Sequence, residues 1–187
     1  MPNEVLQKTG TQISFADHAG DFAPAAANDL EQGTPTNCQL SLASVGDTAA
    51  RQSAKVDLGA TRAVAYHINA AFELAATPTA GEVIEIYWAP SSDATAANAN
   101  PGGVSGTDSA YAGYSSNLGD SVKQLERIGT FICTVQATTT VQIAYCGAFA
   151  PAERYGTLVI KNESGAAFHS DDVESHIVFT PIIDEIQ

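Results

Sequence analysis

The chain has 187 residues, enough for one well-buried domain and short for two. Its formal charge of −13 repels phosphate backbones and anionic headgroups, which argues against nucleic acid and against membrane as partners. Ala makes up much of the apolar fraction, and Gly, Ser, Thr and Asn are abundant, a mixture suited to short strands and many turns rather than long amphipathic helices. The acidity reads as solubility, with attraction to a basic partner or to divalent cations as the alternative. Cys38, Cys133 and Cys146 have no C-x-x-C spacing and read as buried thiols, a disulfide between neighbouring strands remaining open. The first residues, Met1 to Lys8, lack a charged-then-apolar signal pattern, and no apolar run reaches the length of a membrane span. Synthesis and folding in a cytoplasm are therefore expected.

Residues 1–12 read as an extended N-terminal arm, with Val5 and Leu6 as candidate partner contacts. A short strand follows, with Ile13 and Phe15 on one face. Residues 16–36 carry Gly20, Pro24, Gly33 and Pro35 and read as a loop holding at most one helical turn. Cys38 to Val45 is expected to be a strand. In the next, Arg51 to Leu58, Ala54, Val56 and Leu58 are expected to face in and Ser53, Lys55 and Asp57 to face out. Arg62 to Leu74 is the longest period-two run, and it places Val64, Tyr66, Ile68, Ala70, Phe72 and Leu74 on the core face. After a breaker at Thr77–Gly81, Ile84, Ile86 and Trp88 share one face of a strand that Pro90 stops. Residues 91–120 form a long polar loop with Tyr111 and Tyr114; loops of this length are functional or mobile. Asp120 or Ser121 is placed to cap a helical turn through Leu125. Strand signals resume at Ile128–Val135, and then at Val141–Phe149, where Val141, Ile143, Tyr145 and Phe149 are expected to face the core. Arg154–Lys161 and Ile177–Ile183 complete the set. Without alternating helices, this order predicts an all-β, antiparallel, jelly-roll-like β-sandwich occupying residues 13–187 as one domain.

Candidate chemistry is thin. Gly119-Asp-Ser-Val122 resembles the Gly-Asp-Ser block of the GDS-type esterases, which implies Ser121 as nucleophile with Asp172 and His176. That block opens a parallel α/β fold and is followed by Asp-x-x-His, whereas here it comes late and the pair is four apart. A helix cap is the reading that fits. His18, His67, His169 and His176 are dispersed, and His67 shares an outward face with Asn69 and Glu73 that a neighbouring subunit could cover. Asp93, Asp108, Asp120, Asp171, Asp172 and Glu174 lack the ordered spacing of a calcium loop and read as solvated charge. No metal, cofactor or catalytic residue is expected. Trp88, Tyr111 and Tyr114 could form a sugar platform, but the phase of Trp88 places it in the core. Tyr111 and Tyr114 remain as contacts for a glycan or protein partner, or as anchors for their own loop.

The segment Phe149-Ala-Pro-Ala-Glu-Arg-Tyr-Gly-Thr-Leu-Val-Ile-Lys-Asn-Glu-Ser-Gly165 resembles the C-terminal strand–turn pattern of small virion proteins of tailed bacteriophages. The order Asp57-Leu-Gly-Ala60, Thr79-Ala-Gly81, Tyr87-Trp-Ala-Pro90 resembles it too, so the likeness spans much of residues 50–185. The resemblance implies a non-enzymatic structural protein: a capsid decoration (cement) protein, or a head- or tail-surface component. It also implies homo-oligomers, major capsid or tail proteins as partners, and a place in the virion after synthesis in the host cytoplasm. The alternative is a carbohydrate-binding module of a phage fibre or cell surface, which would use Tyr111 and Tyr114.

Overall fold

Period-two apolar runs broken by Gly and Pro become the strands of two packed sheets. The computed structural model describes residues 5–17, 28–171 and 174–186. The strands are β1 (Val5–Thr9), β2 (Ile13–Ala16), β3 (Thr36–Gln39), β4 (Ala50–Asp57), β5 (Ala65–Phe72), β6 (Val83–Ser91), β7 (Ser109–Ala110), β8 (Glu126–Ile132), β9 (Gln142–Phe149), β10 (Tyr155–Glu163) and β11 (His176–Ile186). One sheet has the order β3-β2-β11-β5-β9, with β1 also paired to β11; the other runs β7-β4-β10-β6-β8. Every pairing is antiparallel except β2 with β3. With β1, β3 and β7 set aside, β2-β11-β5-β9 faces β4-β10-β6-β8. That order is an eight-stranded jelly roll, so the expected sandwich is the observed one.

The core lies between the sheets. Tyr66, Ile68 and Phe72 of β5, Ile84, Ile86 and Trp88 of β6, and Ile177 and Phe179 of β11 are all buried in it. Trp88 is fully enclosed beside Phe149 and Phe179, with ring centroids 5.4 and 5.9 Å away. Its indole lies over Gly156 of β10, where a Cβ would come within 2.0 Å of Cζ2. Where β10 slips register against β4 at Leu158, the Leu158 N–H donates to Ser53 Oγ at 3.0 Å. That bond explains why Ser53, expected outward, is buried.

The structure corrects the sequence reading elsewhere too. Val64 precedes β5 and is 65% exposed instead of belonging to the core. Ile143 and Tyr145 point outward and Val141 is only half-buried, for a reason given below. Residues 5–9 are not a free arm: Val5 to Thr9 pair in register with Ile186 to Ile182. Val5 and Leu6 thus belong to a sheet strand, and their side chains fall outside the described set. Cys38 to Val45 is not one strand, since β3 ends at Gln39, although Leu40 and Leu42 continue into the core.

The long loop is also different from a free loop. Residues 101–125 fold back as short turns, among them α1 (Leu118–Ser121), onto the outer face of the β4–β10–β6–β8 sheet. Val104, Tyr111, Val122 and Leu125 pack there on Ala50, Tyr87, Ala89 and Val159, forming a second apolar cluster. Tyr111 is buried and donates its hydroxyl to the Gly102 carbonyl at 2.6 Å, so it holds the flap to its own domain and presents nothing to a partner. Tyr114 remains exposed.

Candidate functional site

The surface that stands out is one edge of the sandwich, where β8 and β9 run side by side. Each carries an extra residue in its ladder: Ile128 in β8 against β6, and Cys146 in β9 against β5. The two bulges meet. A Cβ on Gly147 would lie 2.7 Å from the Ile128 carbonyl oxygen, and one on Gly129 would lie 3.1 Å from that of Cys146. A bulge shifts the inward–outward phase of its strand by one residue. Cys146 and Phe149 both face the core as a result, while Ile143 and Tyr145 are turned to the outside.

Beyond the bulges a groove of about 380 Å³ opens between Phe131–Gln136 on one wall and Thr140–Ala144 on the other. Gln142 ties the walls together: its Oε1 accepts from the Thr134 N–H and hydroxyl at 2.9 and 3.0 Å, and its Nε2 donates to the Thr134 carbonyl at 3.1 Å. Ile132 and Ile143, 62% and 50% exposed, line the groove together with Thr134, Gln136, Thr140 and Gln142. Val135 and Tyr145, 63% and 62% exposed, stand on the same two segments. The Tyr145 ring stands edge-on to His67 of β5, with centroids 5.8 Å apart. No charged residue occurs between Arg127 and Glu153, the stretch that builds this edge.

Charge elsewhere is abundant and internally satisfied on the cationic side. Arg51 pairs with Asp108 at 2.7 Å, Lys123 with Asp120 at 2.8 Å, Arg127 with Glu85 at 3.2 Å, and Arg154 with Asp57 at 2.7 Å. Lys161 lies between Glu85 and Glu163. Arg62 donates to the Pro151 and Ala152 carbonyls. Lys55 Nζ sits in an oxygen cage, 2.8 Å from Ser91 Oγ and 3.0, 2.8 and 2.8 Å from the carbonyls of Asp93, Thr95 and Asn98. Burial in that cage holds its pKa below the usual lysine value, against the pull of Asp93. Every Lys and Arg whose side chain is described is thus engaged within the molecule, and the remaining charge among the described side chains is acidic.

The other candidate residues do not converge. Ser121 lies in the flap, where its Oγ accepts the Tyr114 N–H at 2.9 Å. His176 is buried on the outer face of the opposite sheet, so both sheets separate it from Ser121. There the Leu30 N–H donates to His176 Nε2 at 3.2 Å, Glu31 Oε2 lies 3.5 Å away, and the Ser14 hydroxyl donates to the Glu31 carboxylate. This buried cluster pins the segment around Leu30 over β2 and β11. His18 and Asp172 lie outside the described residues. Asp93 accepts from the Thr95 N–H, and Asp108 and Asp120 are the ion-pair partners already given. His169 is 3.9 Å from Glu73, whose carboxyl burial pushes above the ordinary range. Among the described residues, no three His, Cys, Asp or Glu side chains are grouped to hold a metal ion. A second cleft, of about 270 Å³, lies at one end of the sandwich beside Ile13, Tyr66 and Pro181. The one carboxylate lining it, Asp57, takes two 2.7 Å hydrogen bonds from Arg154, which hold its pKa below the usual carboxylate value. The three cysteines are free and buried.

Sequence reasoning missed the edge because it treated Val141–Phe149 as one unbroken alternation. Two signals were present: Gly147 inside a strand pattern, a mark of a bulge, and the absence of charge from Ile128 to Ala152. Comparison of the chain with protein-family models, with curated proteins and with solved structures found no match.

Proposed function

We propose that this chain is a non-enzymatic structural protein that works by docking into an assembly, and that the assembly is a virion. Its place there is on the surface, as capsid decoration or as a head- or tail-surface component. The observation that carries this reading is the open, uncharged edge built by β8 and β9, with four large exposed apolar side chains, in a chain of net charge −13. Exposed apolar side chains in contiguity mark protein contact surfaces, and depletion of charge is the compositional sign of an interface centre. The jelly roll supports the reading as well, because capsid proteins are among its recurrent uses. So do the internally tied cations and the second apolar cluster, which suit a rigid building block. The resemblance of residues 50–185 to small phage virion proteins supplies the particle.

The test is sedimentation. Particles are purified from cells producing this chain, banded on a gradient and analysed by quantitative mass spectrometry. The expected result is that the chain bands with the particles in many copies. Recovery only in the soluble fraction would remove the virion reading.

A further inference from the structure

We infer that the β8–β9 edge is a homotypic interface, on which a second copy of this chain docks by the same edge about a two-fold axis. The inference rests on the assembly reading above and names the partner for that surface.

Charge selects the occupant. Two copies of a chain of net charge −13 repel through any face that carries its surface carboxylates. They can approach only where charge is missing, and the edge from Ile128 to Ala152 contains none. A basic partner would be drawn to the acidic faces instead and would gain nothing from this one. The second argument is the state of the strand. β9 pairs with β5 on one side and, among the described residues, has no strand hydrogen-bonded to it on the other. Natural edge strands are kept apart by Lys, by Pro, by inward charge or by a bulge. The Cys146 bulge guards the end of β9 that meets β8, but Gln142–Tyr145 before it has none of these and is open to a further strand.

Symmetry follows from inventory. A head-to-tail contact needs a second, different apolar face. The other large exposed apolar side chains among the described residues are Val64, before β5, and Tyr114, in the flap, two single residues on separate elements. The contact is therefore isologous, with the same residues on both sides, and it closes at two copies. A two-fold axis beside Ala144 sets Ile143 of each copy against Tyr145 of the other. Aromatic and β-branched side chains are a favourable pair across antiparallel strands. Ile132 and Val135 extend the contact along the groove.

The experiment is sedimentation equilibrium of the purified full chain at micromolar concentration, with Tyr145→Glu, Tyr145→Lys and Ile143→Glu alongside. The expected result is a wild-type mass of twice 19.4 kDa, and monomers for each variant with unchanged circular dichroism. Each substitution should weaken self-association by roughly tenfold or more. Mixing Ile143→Glu with Tyr145→Lys should restore a dimer, because the two-fold sets residue 143 of one copy against residue 145 of the other. A monomeric wild type, or variants that stay dimeric, would overturn the inference, and the wild-type mass decides alone if a variant misfolds. Particle banding is scored separately. A monomer that bands with particles overturns the dimer and leaves the virion reading; a dimer that does not band does the reverse.

Discussion

Trp88 and Gly156 show how tightly single residues are specified. Trp88 is buried between both sheets, and its Nε1 has no hydrogen-bond partner in the core, so packing alone holds it. Gly156 leaves the space for the six-membered ring of the indole: a Cβ there would meet Cζ2, Cε2 and Cη2 at 2.0, 2.3 and 2.7 Å. Gly156→Ala should therefore destabilise by about 3 kcal/mol, the upper end for overpacking a core. In a Trp88→Phe background, which lacks that ring, the cost should shrink, so urea titrations of the four proteins in a double-mutant cycle should give a clear coupling energy. Additive effects would contradict this account. The core position of Trp88 was legible from its phase with Ile84 and Ile86, since β6 runs without interruption through that stretch. The role of Gly156 was not, because close approach depends on a strand distant in sequence.

At the scale of elements, legibility stops at bulges and flaps. β5 and β6 follow strict period two, and their inward residues could be read directly. β9 does not, and the single extra residue at Cys146 turns Ile143 and Tyr145 from expected core into exposed surface. The candidate site was thus invisible to alternation, though the uncharged run was in plain view. The long loop fails for another reason. Its few apolar residues, Val104, Tyr111, Val122 and Leu125, follow no regular period because short turns bring them together. Its first part hangs on Lys55, whose ammonium gathers four oxygens of residues 91–98. Lys55→Met should lower stability by about 2 kcal/mol through lost charge-assisted hydrogen bonds and should expose this segment first. Hydrogen exchange is the check: faster exchange confined to residues 91–100 is expected, whereas unchanged protection there would remove Lys55 as the organiser.

For the whole molecule, burial shifts the three thiols and the Tyr87 hydroxyl the same way. Burial pushes the thiols of Cys38 and Cys146 up to about 12 and that of Cys133 up to about 11. Burial, then the hydrogen bond to Glu85, pushes the Tyr87 hydroxyl up to about 12. A group whose folded pKa exceeds its unfolded value binds its proton more tightly when folded. Its stabilising contribution is complete below the unfolded value, near 9.0 for thiols and 10.0 for Tyr, and is lost as pH rises towards the folded one. The melting temperature should therefore hold steady between neutrality and about pH 9, then fall steeply, less so in Cys38→Ala relative to that variant's own value at neutral pH. A melting temperature that stays level to pH 11 would contradict it. Below pH 9 the same thiols should resist alkylation in the native state, because only the thiolate reacts.

The position of β11 has a further consequence, for how the chain reaches this state. β11 follows every other strand in chain order, yet it lies inside its sheet between β2 and β5 and also pairs with β1. Until it is made, β2 and β5 have no partner to share and half the sandwich cannot close. Contacts this distant in sequence slow folding, because loop closure precedes the contacts that reward it. The nascent chain must therefore stay soluble with one sheet incomplete, and its high negative charge repels neighbouring chains during that wait.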